Sequence, residues 1–274
     1  EIASAFGWRP AFAAAAVAAA AAALIVLMLR PARQAEPEPV TREQSAPKDE
    51  AMPKDRAMPK KKGWLLDFRP VFANPPAMGY ILGYGVHCWE LFTLRSWMVA
   101  FLAFSLTLQP VAAPAIAAPT TIAMLSGLVA MAASIAGNEL CMRLGRRRVI
   151  RLVMIVSAAS AAAFGFAAGL PYAAVAGLAL VYSAIVQLDS AALTAGVVAV
   201  AEPGRQGATM AVHSLIGFGA GFMGPLVLGW TPDMTGDMTA GAMFTVSWGL
   251  AFATVAAVGA LGALALLLAP KDDA

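Results

Sequence analysis

Ionisable side chains inside apolar stretches are the first feature of this 274-residue sequence that can do chemistry. His87 and Glu90 are three residues apart in one such stretch, and Arg95 follows five residues after Glu90. At about 100° per residue, a helix would place the three side chains on one face that spans roughly 140°. A carboxylate and an imidazole one turn apart suit proton exchange, and a guanidinium suits binding of a carboxylate or sulfonate. We therefore predict a pathway for protons and a solute along this face.

Two further apolar stretches carry polar side chains that could join this pathway. Gln187 and Asp189 lie near the middle of one stretch, and His213 lies a few residues inside the next. Asp189 is interpreted either as a second proton site or as the partner of Arg95 or His213. His213 lies closer to the end of its stretch, where a packing hydrogen bond is the simpler role. For Glu90 the alternative is an internal ion pair with Arg95 that only holds helices together.

The composition is typical of a membrane protein. Hydrophobic residues make up 60% of the chain and charged residues 13%, whereas soluble domains carry about 25% charged residues. The net charge of +3 comes from residues between the apolar stretches, so the lipid bilayer is the expected partner and nucleic acid is not. Two cysteines are too few for a disulfide framework, and no nucleotide-binding, hydrolase or metal-binding motif is present. We predict neither a metal nor another cofactor.

Seven apolar stretches are long enough to cross a membrane, which takes about 20 residues of helix. They cover roughly residues 10–29, 77–104, 111–136, 148–168, 171–201, 208–230 and 241–269. The predicted fold class is therefore an all-α, polytopic membrane protein with seven transmembrane helices. Between the first two stretches the sequence becomes rich in proline and charge, which indicates a flexible linker. The predicted domains are a helix at 1–29, a linker at 30–75, a six-helix half at 76–270 and a tail at 271–274.

Positive charges predict the orientation of these helices. Seventeen of the nineteen Lys and Arg residues fall in alternate connections or in the C-terminal tail, that is, on one side of the predicted bundle. The two exceptions are Arg9 and Arg95. Short loops enriched in Lys and Arg stay in the cytoplasm, so the linker and the C-terminus are predicted to be cytoplasmic.

Three segments are similar to motifs of one transporter family. Residues 7–12 (GWRPAF) resemble the entry to the sixth helix of the major facilitator superfamily. Residues 138–148 (NELCMRLGRRR) resemble the second-half copy of its loop motif, G-x-L-A-D-R-x-G-R-R, although Asn138 and Met142 replace the glycine and the aspartate. Residues 221–229 (GFMGPLVLG) are similar to its Gly-x-x-x-Gly-Pro helix motif. The resemblance covers essentially the whole chain.

The resemblance implies alternating access to a central cavity between two six-helix halves. This chain would supply the second half and the sixth helix of the first, and its partner would be the missing N-terminal helices of the same chain. The predicted loop-motif residues are Glu139, Arg143, Gly145, Arg146 and Arg147. Arg143 and residues 146–148 can pair with acidic groups or lipid phosphates and so pin a short cytoplasmic turn, and the alternative is that their positive charge only sets the orientation of the helices.

Small residues ahead of a proline form a second group, in the sixth stretch. Small side chains allow close helix packing, and a proline bends a helix, so packing is the simpler role and a hinge for alternating access is the alternative. These residues are Gly217, Gly221, Gly224 and Pro225.

We expect a secondary active transporter, not an enzyme, that moves a small organic solute and protons across the cytoplasmic (inner) membrane. Whether it is a symporter or an antiporter stays open. One alternative is a drug-type efflux antiporter in which Glu90 and Asp189 attract cations, although Arg95 argues against it. Another is an integral-membrane enzyme that uses His87, Glu90 and Asp189 as metal or acid–base groups.

Labelling of introduced cysteines tests the predicted orientation. The changes Ala57→Cys and Gly204→Cys should be labelled only from the cytoplasmic side, and Thr235→Cys only from outside, because positive loops stay inside. Labelling of the Ala57→Cys protein in intact cells by an impermeant thiol reagent would overturn this orientation.

Overall fold

The chain forms helices throughout the part that the structure describes. The computed structural model describes residues 8–28, 67–110, 117–234 and 241–269, and within them it contains nine helices and no strand. The chain divides into two compact units, Glu1–Lys62 and Gly63–Ala274. The first unit contains α1 (Trp8–Met28), whose many alanines have the highest helix propensity of any residue.

The second unit contains the other eight described helices. They are α2 (Arg69–Phe72), α3 (Pro75–Thr107), α4 (Pro119–Leu144), α5 (Arg146–Gly165), α6 (Tyr172–Gln187), α7 (Ser190–Val200), α8 (Gln206–Met234) and α9 (Gly241–Ala265). The N-cap of α3 is Asn74, whose side chain accepts a hydrogen bond from the Ala77 N–H at 3.1 Å. The same side chain donates to the Val200 carbonyl at 3.0 Å, so the cap ties the start of α3 to the end of α7.

Five helical stretches among the described residues are long and apolar enough to cross a membrane. They are α4, α5, the pair α6–α7 taken together, most of α8 and most of α9. Although α3 has 33 residues, it does not qualify, because polar side chains such as His87, Glu90 and Arg95 reduce its apolar character. In α1 only a shorter apolar stretch, Ala16–Ile25, is found. An all-α membrane protein with several spanning helices is confirmed, whereas the count of seven stays a prediction.

Most of the predicted linker lies outside the described residues. Of the range 30–75, the structure describes residues 67–75, and these include the short helix α2. The predicted tail at 271–274 also lies outside. The domain boundaries therefore stay predictions.

The third predicted span is misplaced in the sequence interpretation. The apolar pattern predicts a helix at about 111–136, but α4 ends at Leu144 and includes residues assigned to a loop. Good helix formers extend it, and an i,i+4 ion pair joins Glu139 to Arg143 in its last turns. Gly145 then ends the helix with φ 94°, a conformation that favours glycine.

Two clusters of buried apolar side chains fill the second unit. Phe101 is at the centre of the first, where its ring contacts those of Phe164, Trp248 and Phe252. Because α3, α5 and α9 all contribute rings, this cluster holds the bundle together at one end of α3. The second cluster includes Ile81, Ile150, Met154, Leu193 and Leu266.

A layer of buried polar residues lies between the two clusters. On α3 the second cluster ends at Ile81 and the first begins at Leu91, and His87 and Glu90 lie between them. Along the chain, Asp189 likewise lies between a member of the first cluster, Val186 of α6, and a member of the second, Ala192 of α7. The fold therefore places His87, Glu90 and Asp189 at one level of the bundle.

The interruption between α6 and α7 falls at this level. Leu188 and Asp189 form a turn in which the Leu188 N–H bonds the Ile185 carbonyl at 3.1 Å. Gly137 on α4 packs directly against the turn, and a Cβ there would overlap the Leu188 carbonyl group. Leu188 (φ −60°, ψ −29°) and Asp189 (φ −95°, ψ −12°) both keep right-handed helical dihedral angles, so the turn is a local distortion of one long helix, and α4 packs against it.

The change Gly137→Ala tests this close approach. Its methyl group would collide with backbone that cannot move independently, so we expect a loss of stability of about 1–3 kcal/mol. The control is Gly127→Ala on the same helix, where a Cβ would meet nothing within 4 Å. Thermal unfolding of the purified protein in detergent measures both, and equal unfolding temperatures would contradict the packing described.

Candidate functional site

His87 and Asp189 form a buried contact that joins α3 to the α6–α7 turn. Nδ1 of His87 lies 2.8 Å from Oδ1 of Asp189, and the two side chains are 1% and 4% exposed. Neither atom meets the angular requirement for a hydrogen bond with a described residue, so the contact is electrostatic. A nitrogen and an oxygen at this distance need a proton on one of them or between them. The pair is therefore a place where one proton can reside.

Three other helices surround the carboxyl group of Glu90. Ser157 on α5 donates a hydrogen bond to Glu90 Oε1 at 2.7 Å, and both residues are buried. The hydroxyl of Tyr182 on α6 approaches the same carboxyl group without the geometry of a full hydrogen bond. Oε2 lies beside Gly259 on α9, where a Cβ would be 3.5 Å away. A residue of α3 is thus positioned by α5, α6 and α9.

Three predicted pathway residues come together in one buried cluster. Glu90 lies within electrostatic range of both His87 and Asp189. Counted with its backbone, each of the three residues is 3% exposed. Among the described residues, neither carboxyl group pairs with an Arg or Lys. Full ionisation would leave excess negative charge in a medium of low dielectric constant, and binding a proton relieves that excess. We call His87, Glu90 and Asp189 the acidic cluster.

Tyr84 connects the acidic cluster to a second histidine. Its ring stacks on that of His213, with centroids 3.8 Å apart, and lies nearly parallel to that of His87 at 5.8 Å. Gly217 on α8 leaves room for the Tyr84 ring, since a Cβ there would overlap it. The Cys88 thiol also approaches the Tyr84 hydroxyl. His213 therefore packs within the bundle through ring stacking, where the sequence suggested a packing hydrogen bond, and its role in the pathway stays a prediction.

The predicted packing or hinge residues of α8 all contact α3. Trp97 Nε1 donates a hydrogen bond to the Pro225 carbonyl at 2.9 Å, and α8 continues through this proline to Met234. The small residues are in close contact with aromatic rings or backbone of α3. These are the contacts of close helix packing, and a hinge stays a prediction. The residues concerned are Gly217, Gly221, Gly224 and Pro225.

Arg95 does not join the acidic cluster. Its side chain is exposed and forms no hydrogen bond or ion pair with any described residue. The suggested pair with Glu90 is not formed, because the two side chains leave α3 about 140° apart and Glu90 turns towards α5. Nor does Arg95 hold Asp189, whose partner is His87.

Gln187 adds an oxygen without a partner at the α6–α7 turn. Its Oε1 is inaccessible and accepts no hydrogen bond from a described residue, and the same holds for Oδ1 of Asn138 on α4. Asn138 directly follows Gly137, which packs against the turn. Buried acceptors are normally satisfied, so this turn is suited to a water molecule or a donor group of a solute.

The residues of the predicted loop motif lie at two helix ends. Nε of Arg143 lies 2.7 Å from Oε1 of Glu139, both exposed in the last turns of α4. Gly145 alone separates α4 from α5, which begins with the two following motif arginines. Arg147 donates to the Leu267 carbonyl at 3.1 Å, so it satisfies backbone just after α9. The motif thus joins three helix ends, where the sequence predicts a loop.

Three members of the site are absent from the sequence interpretation. Tyr84 precedes His87 by one helical turn and shares its face, so spacing could have indicated it. Ser157 and Tyr182 lie in apolar stretches where nothing in the sequence distinguishes them, and only the packing of α5 and α6 on α3 reveals them.

The sequence matches one known protein family. A family model described as Major Facilitator Superfamily matches residues 1–225, which include α1 and the acidic cluster. The chain belongs to the major facilitator superfamily. No curated protein matches the sequence significantly.

Membership establishes the class of activity. Proteins of the major facilitator superfamily are membrane transporters and not enzymes, so the predicted transport function is confirmed and the enzyme alternative is wrong. In the described ranges, no group of three or more His, Cys, Asp and Glu side chains is arranged to hold a metal ion.

A double-mutant cycle tests the contact between His87 and Asp189. Each single change, His87→Leu or Asp189→Leu, should destabilise the protein by about 3–5 kcal/mol, because it leaves the other group buried without its partner. The double variant should lose less than the sum, since no unpaired group remains. Thermal unfolding in detergent supplies the four values, and strict additivity would show that the two residues do not interact.

Proposed function

We propose that this protein is a secondary active transporter that couples movement of a small organic solute to protons, with the acidic cluster as the proton site. The observation that carries the proposal is the burial of His87, Glu90 and Asp189 at one level between two apolar clusters. Ionisable groups inside a membrane are expensive to keep and usually mark ion or proton pathways. A cluster with more acids than bases can gain or lose one proton without a change of fold.

The neighbours of Glu90 support a role in proton binding. A protonated Glu90 can donate to a nearby acceptor, and an ionised Glu90 can accept from Ser157 at 2.7 Å. Both states therefore have a hydrogen-bonding arrangement in the same pocket. The nearby hydroxyl group of Tyr182 can reorient in the same way.

The interruption between α6 and α7 supports alternating access. The bond from the Leu188 N–H to the Ile185 carbonyl spans three residues, as in a 3₁₀ turn, and a 3₁₀ turn inside a longer helix often marks a functional hinge. Here the interruption carries Asp189, so a movement of α7 relative to α6 changes its distance from His87. The state of the proton site and the arrangement of the helices would then depend on each other.

The remaining parts of the proposal follow the charge distribution. The linker and the C-terminus lie in the cytoplasm and the protein resides in the cytoplasmic (inner) membrane, because positively charged loops stay inside. The solute cavity forms against the N-terminal helices of the same chain. A drug-type antiporter for cations is less well supported, because Arg95 leaves a positive charge exposed on α3.

The change Glu90→Gln tests proton coupling. It should abolish uphill transport driven by a proton gradient, because glutamine keeps the shape of the side chain but cannot release a proton. Exchange of labelled for unlabelled solute, which needs no net proton movement, should persist. Both are measured in membrane vesicles with an imposed pH gradient.

The matched control is Glu202→Gln, which removes the same charge from an exposed residue near the start of α8. This variant should accumulate solute as the parent protein does. Normal uphill transport by the Glu90→Gln variant would eliminate Glu90 as the coupling residue, and Asp189 would replace it in the proposal.

A further inference from the structure

The outward surface of α3 contains a positive charge that the bundle leaves without a partner. Arg95 and Ser96 are both exposed, and Arg95 bonds to none of the described residues. The helix has 33 residues, about 50 Å of length, and Arg95 lies within about 6 Å of its middle. A guanidinium at this depth is costly in contact with lipid, so this surface is expected to face a cavity in the assembled transporter.

Aromatic rings lie beside this charge. Phe92, one turn before Arg95, contacts Phe218 of α8 edge to face, with centroids 6.4 Å apart. Phe218 is 60% exposed, and Phe222, one turn further along α8, is 67% exposed. Gly221 lets α3 and α8 approach here, because the Phe92 ring occupies the space that a side chain would take. The result is an apolar, aromatic surface next to a guanidinium and a hydroxyl group.

The chemistry of this surface defines a class of ligand. A guanidinium binds carboxylate or sulfonate groups through paired hydrogen bonds, and exposed rings favour an apolar or aromatic body. We propose that Arg95 and Ser96, with Phe92 and Phe218, form the binding subsite for an organic anion. The inference rests on the proposed transport function and names its substrate class.

The acidic cluster agrees with an anionic substrate. A monoanion and one proton together carry no net charge, so the pair crosses the low-dielectric interior at a lower cost than either alone. Arg95 lies about 7 Å further along α3 than Glu90, close enough for the occupancy of one site to affect the other. The anion and the proton nevertheless occupy different surfaces of α3.

Protection of an introduced thiol tests the subsite without measuring transport. The change Ser96→Cys, made in the transporter as the cell produces it and reconstituted into liposomes, places a thiol beside Arg95. The native Cys88 and Cys141 are only 1% and 2% exposed. Their slow labelling by N-ethylmaleimide is measured in the parent protein and subtracted as background. The probes are benzoate and benzenesulfonate (negative), benzamide (neutral) and benzylammonium (positive), which share one ring.

We expect the two anions to slow labelling of the thiol, and benzamide to need about 10- to 100-fold higher concentrations for the same protection, which corresponds to one charge-assisted hydrogen bond. Benzylammonium should give no protection. Adding Arg95→Gln should weaken protection by benzoate about 10- to 100-fold, and Arg95→Lys, which keeps the charge but loses the fork of donors, should weaken it less. The control Arg69→Gln, at an exposed residue of α2, should change nothing.

Three outcomes would overturn the subsite: no protection by either anion, equal protection by all four compounds, or protection by benzylammonium alone. The comparison of probes needs no change at Arg95, so it holds even where the Arg95→Gln variant fails to fold. The Glu90→Gln variant should keep its protection by benzoate. Normal uphill transport by the Glu90→Gln variant, with protection by benzoate intact, would reject the proton proposal alone. Loss of uphill transport in that variant, without anion-selective protection of the thiol, would reject the anion proposal alone.

Discussion

The contact between His87 and Asp189 is the constraint on which the arrangement of the bundle depends. A histidine on a membrane helix and an aspartate in the turn of another cannot be left apart in a low-dielectric interior without a large cost. Bringing their atoms to 2.8 Å fixes α3 against the interruption between α6 and α7. Gly137 on α4 packs against this turn, where any side chain would overlap the Leu188 backbone.

The same constraint explains why polar and apolar residues alternate in layers along the bundle. The aromatic cluster around Phe101 and the cluster around Ile81 contain no Asp, Glu, His, Lys or Arg, and the buried acids lie between them. Ser157 supplies the donor that Glu90 needs, and it comes from a helix distant in sequence. A polar layer enclosed on both sides is rigid in shape but can change its protonation, which is the property that coupled transport requires.

In the proposed mechanism, the two surfaces of α3 have different roles in transport. Towards the bundle α3 presents Glu90, and on its exposed side it presents Arg95. Between these two surfaces, the contact with α8 is close because Gly221 and Gly224 bring the helices together and Trp97 bonds the Pro225 carbonyl. A helix that carries a proton site on one side and a cavity residue on the other can transmit a change from one to the other as a rigid body.

The sequence by itself determined the class of the fold, because apolar stretches of membrane length separated by alternating positive loops are typical of polytopic membrane proteins. It also identified His87, Glu90 and Asp189, since ionisable residues stand out against an apolar background. The sequence did not identify the hydrogen-bond and ion-pair partners of these residues. A helix places Glu90 and Arg95 within one broad face. Only the packing of α5 shows that Glu90 turns to Ser157 and leaves Arg95 exposed. Likewise, the end of α4 at Gly145 and the pairing of Asp189 with His87 were decided by tertiary structure, because hydropathy records how apolar a residue is but not which neighbour it meets.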